Sequence, residues 1–413
     1  MDLQLRKHRR SLKAIAALIL IAVTLGTLYV TNHKATNGTP APPPVPRPSG
    51  ASGQGGPGTS PLPKPTEVYN VVNFGADRTG QRDSTNAIRA AITAAEAHSG
   101  SEVYFPPGKF ILDQPSPKLF DFVINKPIQI IGAGISATTI INEVGQKTPG
   151  VTLSTDMFAI EVAPGTQTGG GSGTIISNMT LDSATYDAGT DIMDFANHTT
   201  LSNLKVLAAS STNTYNYNSF GIRVIAICNP NNISYKYRVG NVINNVTIIG
   251  KGQQGTTELD LSCQVGTSAS NITIVGNGLD IFYCHNDTVS NANLTSGNYA
   301  PRLYTWVITG STNISLSNII ANGMGGTIAP DVRLVSNNIS IENESMTQKY
   351  SSLYIGDSRN VSILNSSLGG IIILPRAKVD GLKLDHTSVS LVICRPGAST
   401  SNLSGLACPP YSP

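Results

Sequence analysis

The sequence predicts an all-β fold, a parallel β-helix in which one short coil is stacked on the next. Three observations predict it. A short phrase recurs along most of the chain: apolar, small or polar, Asn, apolar, Ser or Thr, apolar. Its copies return every 20 to 26 residues, apart from one step of 42. Charged residues make up only 13% of the chain, against about a quarter in an ordinary soluble domain. A period in this range marks a solenoid, and alternating apolar positions mark its segments as strands.

The phrase is clearest at Ile176–Leu181, Leu201–Leu204, Ile243–Ile248 and Ser270–Ile274. Weaker copies centre on Asn291, Asn313, Asn338, Asn360, Asp380 and Asn402. Each coil buries its apolar residues only against its neighbours. The repeated Asn residues are expected to stack inward as a hydrogen-bonded ladder. This structural role also accounts for the Asn-x-Ser/Thr glycosylation signatures that the phrase generates. The 42-residue step, from Asn203 to Asn245, inserts Tyr- and Asn-rich loops around Ser211–Asn218 and Asn229–Arg238. Loops that interrupt regular coils are candidate binding surfaces.

Three segments are expected. Residues 1–34 hold a basic stub, with Arg6, Lys7, Arg9, Arg10 and Lys13, followed by the apolar run Ala14–Val30. With its edges this run nears the ~20 residues a bilayer requires, and the basic flank predicts that the remainder lies outside. No small-x-small cleavage site follows Val30, so an uncleaved membrane anchor is preferred to a signal peptide. Residues 35–66 are rich in Pro and Gly and form a spacer without a core. Residues 67–413 form the β-helix. Net charge is +3 overall, but +5 falls within residues 1–34 and −2 on the rest, which argues against a nucleic-acid partner.

The β-helix opens with Val68–Phe74 as a strand ending at Gly75. A helix follows from Thr85, capped by Ser84 or Asp83, with Ile88, Ala91, Ile92 and Ala95 on one apolar face. Gly100 ends it; Glu102–Phe105 is a strand and Pro106-Pro107-Gly108 a turn. Asp77, Arg78 and Asp83 are read as turn and capping residues.

This segment, with Asn73-Phe74-Gly75-Ala76, the Ala-Ile-x-Ala-Ala-Ile core within Asp83–Ala91 and its flank, and Val103–Gly108, resembles the opening of pectate-lyase-superfamily proteins. That group includes family 28-like glycoside hydrolases and phage tailspikes. The resemblance covers Val68 to Gly134. It implies a right-handed, single-stranded parallel β-helix with the helix as its N-terminal cap. The Asn-Thr-Asp, Asp-Asp, Gly-His-Gly and Arg-Ile-Lys motifs of family 28 enzymes are absent, so it implies the fold and not that mechanism.

The candidate site comes from the repeat register. Counting back eleven residues from Asn271, Asn291, Asn313 and Asn360 gives Asp260, Asp280, Arg302 and Lys349. Residues at one register stack ~4.8 Å apart. Alternation then places Glu258, Asp260, Asp280, Phe282, Arg302, Tyr304 and Trp306 on one exposed face. Two carboxylates one coil apart share a proton or a cation. One serves as general acid and the other as base or nucleophile, or the pair binds Ca²⁺. Arg302 neutralises a uronate carboxylate, the aromatics face sugar rings, His285 and Asp287 lend a proton relay, and Arg223 is a further member. The alternative for the charged face is a self-satisfied ladder without a ligand.

The leading expectation is therefore an extracellular, membrane-tethered enzyme acting on polysaccharide, a lyase or glycosidase using Asp260, Asp280 and Arg302. The rival is a non-catalytic module for glycan binding or adhesion. Cys228, Cys263 and Cys284 end strands here and form either a thiol column or one disulfide. Cys394 and Cys408 are placed to staple the tail.

Overall fold

A computed structural model describes residues 63–113, 120–143, 156–160, 171–184, 190–208, 220–226, 237–250, 257–276, 278–296, 304–323, 325–329, 335–346 and 351–401. All of them fall in one compact unit. The expected anchor, most of the spacer and the residues from 402 lie outside the described residues. Among those described, no helix is long and apolar enough to cross a membrane.

Every strand pairing is parallel, and the register never slips from coil to coil along the eleven-stranded sheet. This sheet stacks one strand per coil, from Phe120–Ile124 to Val392–Cys394. One inward column reads Phe122, Phe158, Ile192, Ile222, Leu259, Leu279 and Trp306. All seven are buried, because each coil supplies the apolar floor that the next one needs.

The N-terminal helix α1, Thr85–Glu96, buries Ile88, Ala91, Ile92 and Ala95 as its spacing predicts. Asp83 Oδ1 accepts from the Thr85 amide at 3.0 Å, whereas Ser84 Oγ accepts from the Asp77 amide. Asp77 gathers the Thr79, Gln81 and Arg82 amides. The Thr79 hydroxyl, which also donates to it, and then these amides hold its carboxyl low, at about 2. Both acidic residues, Asp77 and Asp83, do turn and cap chemistry.

Bends between strands use residues in the left-handed region. One column of bends runs Asn178, Asn203, Asn245, Asn271, Asn291, Asn318, Asn343 and Asn365, all with φ between 48° and 61°. Asn tolerates this conformation better than other non-glycine residues. Adjacent carboxamides hydrogen-bond along the axis, as from Asn245 to Asn203 at 2.7 Å and from Asn318 to Asn291 at 2.9 Å. Two expectations are corrected here. The Asn residues do not stack inward: from Asn245 onward they are exposed. And Asn313 is not the partner of Asn291. It belongs to a second ladder, Asn286, Asn313, Asn338 and Asn360, at a neighbouring bend.

Candidate functional site

Three consecutive strands of the eleven-stranded sheet build the site: β1 (Phe220–Ile225), β2 (Thr257–Ser262) and β3 (Leu279–Phe282). Arg223, Asp260 and Asp280 are register partners across them. Their neighbours along the strands, Ile222, Val224, Leu259, Leu261, Leu279 and Ile281, are all buried. Strand alternation therefore turns the charged trio to the outer face.

Asp260 is 2% exposed and fully engaged. Arg223 Nε donates to its Oδ2 at 2.8 Å and Ser262 Oγ to its Oδ1 at 2.6 Å. The Arg223 guanidinium also lies 4.4 Å over the Phe220 ring, a cation–π contact that fixes its plane. Asp280 is half-buried and accepts from Thr257 Oγ1 at 2.9 Å through Oδ2. Its carboxyl is pushed up to about 7, first by burial and then by the neighbouring charge of Asp260. The trio thus combines one committed ion pair with one carboxyl poised to exchange a proton near neutrality.

Several sequence-predicted members lie elsewhere. Arg302 and Lys349 lie outside the described residues. The position opposite Asp280 in β4 (Trp306–Thr309) is held by Val307, not by Arg302. Asn313 lies five residues short of the true repeat position, Asn318, so a count of eleven back from it misses this register. Arg223 supplies the guanidinium instead, from the preceding coil.

Trp306 is corrected for the same reason: it pairs with Leu279 and is completely buried. Its Nε1 donates to Glu344 Oε1 at 2.8 Å. The next coil makes room with Gly326, where an added Cβ would lie 2.0 Å from the ring. Glu258 is also not on the outer face. It is 1% exposed, its Oε2 accepts from the Gly278 amide at 2.8 Å, and its carboxylate sits against Gly250 and Gly276. Only side-chain-free positions leave space for it at this corner.

Phe282 is half-buried one outward position beyond Asp280. His285 lies past the bend at Tyr283 (φ 55°), outside β3. Its Nε2 is 2.7 Å from Tyr237 Oη, and burial lowers its pKa. Asp287 is fully buried, with Oδ1 accepting from the Thr267 amide at 2.8 Å. Burial raises it to about 6. It braces the bend and cannot touch a substrate. Tyr304 is half-buried, its ring edge-on to Tyr354 with centroids 5.2 Å apart.

Among the described residues no cluster of three or more His, Cys, Asp or Glu side chains is arranged to hold a metal. Each Asp260 oxygen accepts a hydrogen bond from a protein group, and the cation beside the carboxyl pair among the described residues is Arg223. Cys263 and Cys394 are each disulfide-bonded, and Cys284 is a free buried thiol whose pKa burial pushes up. Cys263 falls opposite Tyr283 rather than Cys284, since Ser262 pairs with Phe282, so these two do not form a column. Cys228 and Cys408 lie outside the described residues.

Sequence reasoning missed Thr257 and Tyr354, and alternation puts Ser262, two residues from Asp260, on the site's face without giving it a role. Thr257 and Tyr354 become neighbours of the site only through pairing across coils.

Residues 68–301 match the family described as rhamnogalacturonase A/epimerase, pectate lyase-like. A stretch of 75 residues is 40% identical to alginate lyase 7 of Azotobacter vinelandii, covering 17% of this chain and 8% of that protein. Mannuronan C5-epimerase AlgE1 of the same organism is 41% identical over 75 residues, 17% of this chain and 5% of that protein. The matched stretch thus spans less than a tenth of either relative. Among solved structures, the A-module of the Azotobacter vinelandii mannuronan C5-epimerase AlgE6 is 17% identical, covering 83% of this chain and 100% of that one, with a TM-score of 0.44.

Proposed function

The chain belongs to the rhamnogalacturonase A/epimerase, pectate lyase-like family, and from that premise we propose that it acts on a uronate-containing polysaccharide by proton transfer at C5, as a lyase or an epimerase. The observation that carries this reading is the asymmetry of the two carboxyls. Asp260 has both oxygens bound, while Asp280 has one bound oxygen and a pKa near 7. A glycosidase of the two-carboxyl type needs two working carboxyl groups. Among the described residues of this face a single such group, Asp280, is available.

In this reading a uronate carboxylate lies at the terminal N–H groups of Arg223, beside the Nε that Asp260 holds. Arg is suited to such planar recognition. The cation acidifies the C5 hydrogen by stabilising the charge that develops on the carboxylate. Asp280, when ionised, removes that proton. Elimination follows if the C4–O bond breaks, giving a C4=C5 double bond, and the leaving oxygen takes a proton from solvent water to depart as an alcohol while Asp280 gives its proton back to solvent. Epimerisation follows if solvent water delivers a proton to C5 from the opposite face, with Asp280 returning the abstracted proton to solvent. The similarity to a named alginate lyase and to mannuronan C5-epimerases supports testing mannuronan first.

The test is incubation with mannuronan and with a panel of other uronate polymers. Ultraviolet absorbance of unsaturated uronates reports elimination, and proton NMR reports C5 inversion. Asp280→Asn and Arg223→Gln are expected to abolish turnover. Full activity in Asp280→Asn would overturn the assignment, and binding of a glycan without turnover would favour the adhesion or binding module. The basic stub and apolar run of residues 1–34 support a tethered domain outside a membrane; membrane fractionation with and without those residues tests it.

A further inference from the structure

Beyond the charged trio, the same outward column of the sheet continues through Val307, Thr327 and Tyr354. Their outward direction follows from their neighbours. Trp306, Ile308, Ile328, Leu353 and Ile355 are all buried, and Gly326 packs under the indole. The column changes character after Asp280. Val307 is half-buried, Thr327 is buried with its hydroxyl donated to the Tyr354 carbonyl at 3.2 Å, and neither carries charge. At Tyr354, before it passes on to Ile372 and Ile393, it meets two half-buried tyrosine rings, Tyr354 and Tyr304, packed edge to face.

We propose that Tyr304 and Tyr354 form a distal sugar-binding subsite, so that the polysaccharide lies along the helix axis from Arg223 toward Tyr354. The inference rests on the polysaccharide reading above, but it concerns binding rather than proton transfer. Register sets the geometry. Tyr354 lies three strand steps from Asp280, about 14 Å at the ordinary strand spacing. A single sugar at Asp280 does not reach it, whereas a longer chain does. Between the two points the column carries only the low, uncharged Val307 and Thr327. A half-buried tyrosine offers a rigid apolar face to a pyranose ring together with a polar edge for its hydroxyls. Edge-to-face packing against Tyr304 holds that face in place without an induced change. The pair is uncharged, so it binds the ring rather than its carboxylate, and salt is expected to leave its contribution intact.

The test uses the full chain and oligomannuronates of increasing length, from disaccharide to dodecamer. Wild-type affinity is expected to climb with length and then level off. In Tyr354→Ala, KM and the dissociation constant for long oligomers should rise about five- to tenfold, the scale of one aromatic contact. Values for the disaccharide and kcat should stay unchanged. Tyr354→Phe should behave as wild type. Tyr354→Leu, which keeps apolar bulk on the sheet, separates loss of the aromatic face from loss of folding and should resemble Tyr354→Ala. An equal loss for short and long oligomers would overturn the subsite, as would length-independent affinity in the wild type or no binding at any length. Length-dependent binding that Tyr354→Ala removes, without any turnover, would sustain the subsite and overturn the enzymatic reading.

Discussion

Replacing Asp280 with Asn gives a prediction whose size follows from the site. The carboxyl goes from an ordinary 3.8 to about 7 in the folded protein. The folded state therefore holds its proton more tightly than the unfolded chain does. Below pH 4 both states are protonated and the group is neutral to stability. As pH rises from 4 to 7 the unfolded chain releases the proton and the folded one keeps it, so stability falls. The full loss, reached above pH 7, is about 4 kcal/mol at ~1.4 kcal/mol per pH unit. Asn cannot ionise and still offers an oxygen to Thr257 Oγ1. Asp280→Asn should thus match wild type near pH 4 and exceed it progressively, by up to about 4 kcal/mol at pH 8. Denaturant titrations at half-unit pH steps, followed by the fluorescence of Trp306, the only tryptophan, measure this directly. The same variant is expected to be inactive, which separates the catalytic cost of the ionisable group from its structural cost. Parallel stability curves for the two proteins between pH 4 and 8 would refute the argument that burial and Asp260 hold Asp280 in strain.

Four further outcomes are expected. Arg223→Gln removes the partner of a buried carboxylate and should destabilise the domain by about 3–5 kcal/mol at neutral pH, read as a lowered denaturation midpoint that recovers on acidification. Glu344, raised from 4.5 to about 7 by burial, should lose about 3 kcal/mol of stability as pH rises from 4.5 past 7. Glu344→Gln keeps an acceptor for the Trp306 indole and should flatten that dependence in the same titration. Gly326→Ala drives a methyl into the Trp306 ring and should cost about 1–3 kcal/mol, with a red shift of the tryptophan emission. Asn318→Ala breaks two ladder hydrogen bonds and places alanine at φ 54°, so thermal unfolding should reveal a loss of about 1–2 kcal/mol; Asn318→Gly, free of the backbone cost, should lose less.

The contrast between what the sequence disclosed and what it hid has one physical source. A solenoid writes each coil locally, so the apolar alternation, the Asn bends and the capping helix are all legible over a few residues. The Asp260–Asp280 pair was legible because Asn271 and Asn291 are true neighbours in the ladder, twenty residues apart. The next step failed because Thr312–Asn322 carries two Asn residues at bends, Asn313 and Asn318, each followed by Ile. The phrase alone fits both. Choosing the wrong one moved the register by five residues, an odd number, and an odd slip exchanges the two faces of a strand. Trp306 was turned outward and Arg302 set beside Asp280 by that single choice.

Glu258 and Trp306 share a second reason for being misread. Each is large and each is accommodated by glycines outside its own strand, Gly250 and Gly276 for the first and Gly326 for the second. Alternation assigns a face to a residue from its own strand. Volume compensation between coils is a property of the stack, and the side chain and the space it fills are twenty or more residues apart for Trp306 and Gly326. The same reasoning explains why the site could gather Arg223 from 37 residues before Asp260, across the longest interruption in the repeat. Register, not sequence distance, decides which charges meet. The interruption leaves the charged trio in line because Phe220–Ile225 keeps its register with the strands before and after it.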